Sequence, residues 1–145
     1  MTMAAGEGPA DLRRIAAAAA RLPAKYAPLC LSFYGEPFRV ADGAGVIGSD
    51  EGTELRVDFA SGHVMSVDPR GELDTRFVNS SVDQLAAAIA CYDEYAGLVR
   101  GADDEAASHL VQDLSRRLSV IDAAATARPD AWWVMILEQA QDGLL

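Results

Sequence analysis

The sequence predicts an α+β fold: an antiparallel sheet of about four to six strands packed against an N-terminal helix and two to three C-terminal helices. Three observations carry this. Glu54-Leu55-Arg56-Val57-Asp58-Phe59 alternates apolar and charged residues without a break, the period of a strand with one dry and one wet face. The neighbouring apolar runs are joined by tight turns, and parallel strands would need much longer crossovers, so the sheet is antiparallel. From Ser81 onward the apolar period becomes helical. The change falls in Arg76-Phe77-Val78-Asn79-Ser80-Ser81-Val82-Asp83-Gln84-Leu85, which reads as a strand end, a polar corner and a helix start. Ser81 and Gln84 have capping-box spacing: the serine oxygen takes an orphan N–H, and the glutamine side chain reaches back to the cap's own N–H. Asp83 adds negative charge where the helix dipole favours it.

In chain order, residues 1–10 are small and polar, with Gly6, Gly8 and Pro9, and read as a disordered arm ahead of a single domain over residues 11–145. After Asp11, apolar Leu12, Ile15, Ala16, Ala19 and Leu22 predict a short first helix that Pro23 ends. Leu22 to Pro28 reads as a linker docked through Tyr26. Leu29 to Tyr34 is apolar enough for a strand or a buried connector, and Gly35-Glu36-Pro37 breaks it. Phe38, Val40 and Val46-Ile47 suggest one interrupted strand or two short ones around Asp42-Gly43-Ala44-Gly45. The Glu54–Phe59 strand turns at Ala60-Ser61-Gly62 and returns as His63–Val67. Asp68-Pro69-Arg70-Gly71 is a further turn, and Thr75–Val78 the next strand.

The helix after Ser81 places Leu85, Ala88, Ile89, Tyr92, Ala96 and Val99 on one side and ends near Gly101. Asp103 or Asp104 caps another, with Ala107, Leu110, Val111, Leu114, Leu118 and Ile121 along its stripe. Pro129 suits the first turn of the last helix, which carries Trp132, Trp133, Ile136 and Leu137. Adjacent helical residues point about 100° apart, so one tryptophan is expected in the core and the other partly exposed, as a candidate interface anchor.

A chain of 145 residues fits one domain, which at this size buries roughly 70% of its unfolded surface. The net charge of −10, from 22 acids against 12 bases, disfavours direct binding to a phosphate backbone and favours a basic protein partner. Cys30 and Cys91 form no CxxC pair, so neither a zinc site nor a redox motif is indicated. No apolar run approaches the ~20 residues of a membrane span and no secretory leader is evident, so a soluble, cytoplasmic protein is expected.

Several patterns mimic chemistry. Gly43-Ala44-Gly45-Val46-Ile47-Gly48 matches G-x-G-x-x-G, but an acidic stretch and a strand follow it where a nucleotide site needs a helix N-terminus. A calcium loop starting at Asp42 would meet Ala44 and Val46 at ligand positions. His63 and His109 stand in no nucleophile-elbow or HExxH context, so the chain is expected to be no enzyme and to need no metal or cofactor. Asn79-Ser80-Ser81 is formally a glycosylation acceptor, but a local role at the corner fits better, with Asn79 tolerating awkward backbone angles.

Taken together, these segments resemble a SUKH-superfamily immunity protein, most closely the fourth SUKH group of actinobacterial type. The resemblance covers roughly residues 20–145 and rests on Leu22-Pro23, Val46 to Gly52, Gly62-His63-Val64, Phe77-Val78-Asn79-Ser80-Ser81-Val82-Asp83-Gln84-Leu85 and Trp132-Trp133 through Gln139. It implies a SUKH-like α+β domain that is not an enzyme and that binds a nuclease- or deaminase-type toxin domain of a bacterial polymorphic toxin system in the cytoplasm. A cytoplasmic adaptor with the same fold and no toxin partner is the alternative. The resemblance carries over no residues, because family members bind different partners through varied surfaces. The charge pattern itself nominates a partner-binding surface of Asp42, Asp50, Glu51, Glu54 and Asp58, with Glu72 and Asp74, against one internal base, Arg56.

Overall fold

A computed structural model of the chain describes residues 9–34 and 39–143. The disordered arm expected over residues 1–10 has its first eight residues outside this range, as do the Gly35-Glu36-Pro37 break and Phe38. Helix α1 (Pro9–Ala19) leads to β1 (Lys25–Tyr26), a 3-10 turn (Ala27–Leu29), β2 (Leu31–Phe33) and β3 (Val40–Ala41). Next come β4 (Ala44–Asp50), β5 (Thr53–Asp58), β6 (Val64–Val67) and β7 (Arg76–Asn79). Helices α2 (Val82–Val99) and α3 (Asp104–Ile121), a second 3-10 turn (Ala123–Thr126) and α4 (Trp132–Gln141) complete the chain.

All described strand pairs are antiparallel, in the order β1-β2-β4-β5-β6-β7, with β3 also paired to β4. The expected α+β sheet and helices are therefore present. The alternation in β5 works as read: Leu55 and Val57 are buried in the core under the helices, while Glu54, Arg56 and Asp58 alternate with them. The ambiguous run at Leu29–Tyr34 is a 3-10 turn followed by a strand. Tyr26 docks the linker, its hydroxyl donating to Asp93 Oδ1 (3.0 Å) and its ring meeting Tyr92 edge-on.

Of the two readings of the glycine-rich stretch, two strands is the observed one: β3 and then β4, which is longer than Val46-Ile47 alone indicated, with Ala44 through Gly48 buried. Asp42 and Gly43 both have positive φ (50° and 74°), the type I′ geometry that joins β3 to β4. A Cβ on Gly48 would lie 2.3 Å from the Ser32 carbonyl oxygen, so glycine there lets β2 and β4 approach. The G-x-G-x-x-G letters thus serve a hairpin and a close strand pair.

At the strand–helix corner, Ser81 Oγ accepts the Gln84 N–H (3.1 Å), as the capping box requires. The reciprocal half differs. Gln84 Oε1 accepts the Ser81 hydroxyl (2.9 Å) and its Nε2 donates to Ile121 O (3.2 Å), tying the start of α2 to the end of α3. Asp103, not Asp104, caps α3 by accepting the Ala106 N–H (2.8 Å). Pro129 lies before α4 rather than in its first turn.

Asn79 is fully buried at the end of β7, without positive φ, and its side chain bonds across the core. Its Nδ2 donates to Asp122 Oδ2 (3.0 Å), and its Oδ1 accepts the Trp133 indole N–H (2.9 Å). Ser80 adds a backbone N–H to Asp122 Oδ2 (2.7 Å) and a hydroxyl to Oδ1 (2.8 Å). A buried carboxylate is tolerable only when donors replace its water, and here three do. The expectation of one exposed tryptophan is overturned: Trp132 is 1% and Trp133 0% exposed. They meet edge-on with centroids 4.8 Å apart, and each indole N–H has its own acceptor.

Asp122→Ala leaves the Asn79 and Ser80 donors unpaired, and a loss of roughly 2–4 kcal/mol in urea unfolding is expected. Trp133→Phe removes one donor while keeping an aromatic ring, with an expected loss of about 1–2 kcal/mol from that bond. Equal stability of the Asp122 variant and the wild type would contradict this assignment.

Candidate functional site

Three walls, together with the Pro28-Leu29-Cys30 segment, line a cleft of about 540 Å³ at one end of β4. The first is the two-residue turn Glu51-Gly52 between β4 and β5, with positive φ at both residues (43° and 100°). Glycine suits this geometry, whereas Glu51 adopts it against its side chain's steric preference. Thr53 Oγ1 donates to Asp50 O (2.9 Å) and accepts from buried Ser66 Oγ (3.1 Å), which fixes the turn to β6.

The second wall is the loop between β6 and β7. The Asp68 carboxylate accepts the backbone N–H of Arg70 (3.0 Å), Glu72 (3.0 Å) and Leu73 (2.9 Å). The turn expected at Asp68-Pro69-Arg70-Gly71 is thereby extended into an ordered loop that holds Glu72, Leu73 and Asp74 at the cleft. Leu73 is 66% exposed.

The third wall is α4, with Trp132, Met135, Ile136 and Gln139. Trp132 Nε1 donates to Asp50 Oδ2 (2.6 Å), clamping the turn to the helix.

Six of the seven nominated acids divide between two places, and Glu54 lines neither. Asp50, Glu51, Glu72 and Asp74 all line this cleft, where Arg76 is the sole basic residue. Arg76 donates to Asp130 O (2.9 Å). Among the described residues, Asp50, Glu51 and Asp74 have no ion pair, and Glu72 has a loose one with exposed Arg70 (3.7 Å). Asp42 and Asp58 line a shallower depression of about 350 Å³ with Arg56 and His63. Seven β4 residues at ~3.3 Å rise put Asp42 and Asp50 on the order of 20 Å apart, so proximity in the chain does not make them one surface.

Glu54 and the two acids of that depression are largely occupied. Glu54 pairs with Arg39 and accepts from Arg56 Nη2 (2.7 Å) and Nε (3.1 Å). Asp42 lies 3.5 Å from Arg56. Asp58 accepts the Ser61 N–H (3.0 Å) and hydroxyl (2.7 Å). This places Ser61 directly on the carboxylate, while the His63 ring stands edge-on to Phe77 (5.3 Å). A Ser–His–Asp relay needs the imidazole between hydroxyl and acid, and this arrangement is instead a hydrogen-bonded turn.

Electrostatics distinguish the cleft acids. Burial pushes the Asp50 carboxyl above its ordinary value, the Trp132 hydrogen bond opposes this, and the Glu51 charge adds to it. Backbone N–H groups, that of Arg70 foremost, hold Asp68 below its ordinary value. The Cys30 thiol is raised by its hydrogen bond to Glu51, the reverse of nucleophile activation. Among the described residues, no group of three or more His, Cys, Asp or Glu side chains is arranged to hold a metal ion. Among the described residues, no helix is long and apolar enough to cross a membrane.

Sequence reasoning missed Leu73, Arg76 and, apart from the tryptophan pair nominated as a candidate anchor, the α4 wall. Exposed Leu73 between Glu72 and Asp74 was the one local signal, an apolar residue in an acidic turn region. The Trp132–Asp50 contact spans 82 residues and had none.

A family model described as SUKH-4 immunity protein matches residues 9–139. Neither the curated proteins nor the solved structures yield a match.

Asp50 titration should be visible at Trp132. A pH series of the Trp132 indole N–H resonance is expected to show a midpoint above the ordinary ~3.9 of aspartate. Because the folded value is raised, this group's contribution to stability is present below its unfolded pKa and lost as pH rises through its folded pKa. Asp50→Asn, which keeps a carbonyl acceptor for Trp132, should therefore retain neutral-pH stability while flattening that part of the profile. A midpoint below the ordinary value would overturn the desolvated reading of Asp50.

Proposed function

This chain belongs to the SUKH-4 immunity protein family, and on that premise we propose a non-enzymatic protein that neutralises a cytoplasm-acting toxin of a bacterial polymorphic toxin system. The toxin domain is of nuclease or deaminase type, with a basic surface. Family membership implies binding a cognate toxin; the charge distribution supports the rest. The observation that carries the reading is the convergence of Asp50, Glu51, Glu72 and Asp74 on one preformed cleft.

An enzyme acting on nucleic acid must attract phosphates, so its working surface carries Lys and Arg. A blocker with net charge −10 is drawn towards such a surface by the same field that draws substrate. Neutralisation then requires complementarity and occlusion, with no bond made or broken. Asp42, Glu54 and Asp58 add to the long-range field even where local partners engage them. The protein acts in the cytoplasm, where the toxin's substrate lies, and contacts neither nucleic acid nor membrane directly.

Co-expression with any toxin-like domain encoded beside this gene tests the reading, scored by growth. Growth is expected to be restored, and the association rate of the purified pair should fall at least about tenfold from low to high salt. Continued killing despite soluble expression of this chain would overturn the reading, and a salt-independent rate would overturn its electrostatic part.

A further inference from the structure

We propose that the cleft between the β4–β5 turn, the β6–β7 loop and α4 receives an arginine side chain from a loop of the toxin. The inference rests on the toxin-binding reading above and selects one of the two acidic regions as the contact.

The cleft is a groove with apolar parts, not only a collection of charges. Leu29, Trp132 and Ile136 contribute buried apolar residues, and exposed Leu73 stands at its edge. Carboxylates come from two separate walls: Asp50 and Glu51 from the turn, Glu72 and Asp74 from the loop. A planar guanidinium suits this combination, since its donors fan out in one plane to meet carboxylates on different walls. Its weak hydration also lets it lie against apolar surface, where a compact ammonium would lose more solvation. Arginine is also enriched among residues that dominate binding energy.

Asp50 supplies the reason the site favours a cation. It is half-buried, one of its oxygens accepts from Trp132, and no cation pairs with it among the described residues. An incoming guanidinium would stabilise the charge that burial disfavours. The walls are fixed beforehand by the Asp68 and Trp132 hydrogen bonds, so little ordering is left for the moment of binding. The depression at Asp42 and Asp58 fits less well, because Arg56 and the Ser61 turn already use its acids.

Two arms test the inference. In the first, N-acetyl-arginine methylamide is titrated into the free protein and followed by NMR, with the lysine analogue alongside. Shifts are expected at the Trp132 indole N–H and at amides of Glu51 and Glu72–Thr75, larger for arginine, with the Ala60–Gly62 amides unmoved. Shifts centred on Ala60–Gly62, no saturable shift, or equal response to lysine would overturn the proposal.

In the second arm, toxin binding by the triple variant Glu51→Gln, Glu72→Gln, Asp74→Asn is compared with Asp42→Asn, Asp58→Asn. The three exposed positions of the triple variant spare the core. The cleft variant should bind at least about tenfold more weakly, and the other within about twofold of wild type. Wild-type affinity in the cleft variant would overturn the inference while leaving the toxin-binding reading intact. Failure of the wild type to bind the toxin overturns that reading, and the arginine titration then decides the cleft's preference by itself.

Discussion

The carboxylate of Asp122 sits where β7 hands over to α2, and the rest of the arrangement depends on how it is satisfied. A carboxylate buried without donors would be costly, but Asn79 and Ser80 supply three, and α2 begins immediately beyond them. Anchored at one end by Asp122, the Asn79 amide presents its oxygen to Trp133. The preceding side chain on the helix, Trp132, meets Trp133 edge-on and donates to Asp50. One buried acid is therefore linked, through Asn79, Trp133 and Trp132, to a wall of the cleft.

Much of the fold was legible because its signals are local. Strict alternation in Glu54–Phe59 marked β5, and Ser81 with Gln84 marked the start of α2. The features that escaped were long-range or concealed by small residues. Nothing near Asn79 announces a partner 43 residues away, so its backbone was credited with what its side chain does. Strand β4 was marked by Val46-Ile47, but its length was not, because alanine and glycine carry little apolar signal, although Gly48 is needed where Ser32 comes close. The tryptophans were misjudged because an argument about one helix assumes one buried side, whereas α4 is held between α3 and the sheet end. Of the candidate site, the acids could be named from charge alone. Their division between two places required the length of β4, and Leu73 and Trp132 required the tertiary structure.

Family membership supplies a fold and a general role, but the surface that performs the role is particular to each chain. Here the distinction between general acidity and a built site matters. Net charge accelerates encounter with any basic protein, and salt screens it. Specificity needs charges placed at one site without cationic partners, and among the described residues that condition separates Asp50, Glu51 and Asp74 from Glu54, which two arginines already engage. Burial of Asp50 sharpens the contrast, since a desolvated acid discriminates more strongly between having and lacking a cationic partner.

The central claim is that the partner covers the cleft that the Asp122-to-Trp132 chain of contacts builds. Amide hydrogen exchange of this protein, free and bound to the toxin domain, tests it most directly. Slower exchange at Glu51–Thr53 and Glu72–Thr75 on binding, with Ala60–Gly62 unchanged, is the predicted result. Protection confined to Ala60–Gly62 and the Asp42–Gly43 turn, with the cleft amides unaltered, would contradict it.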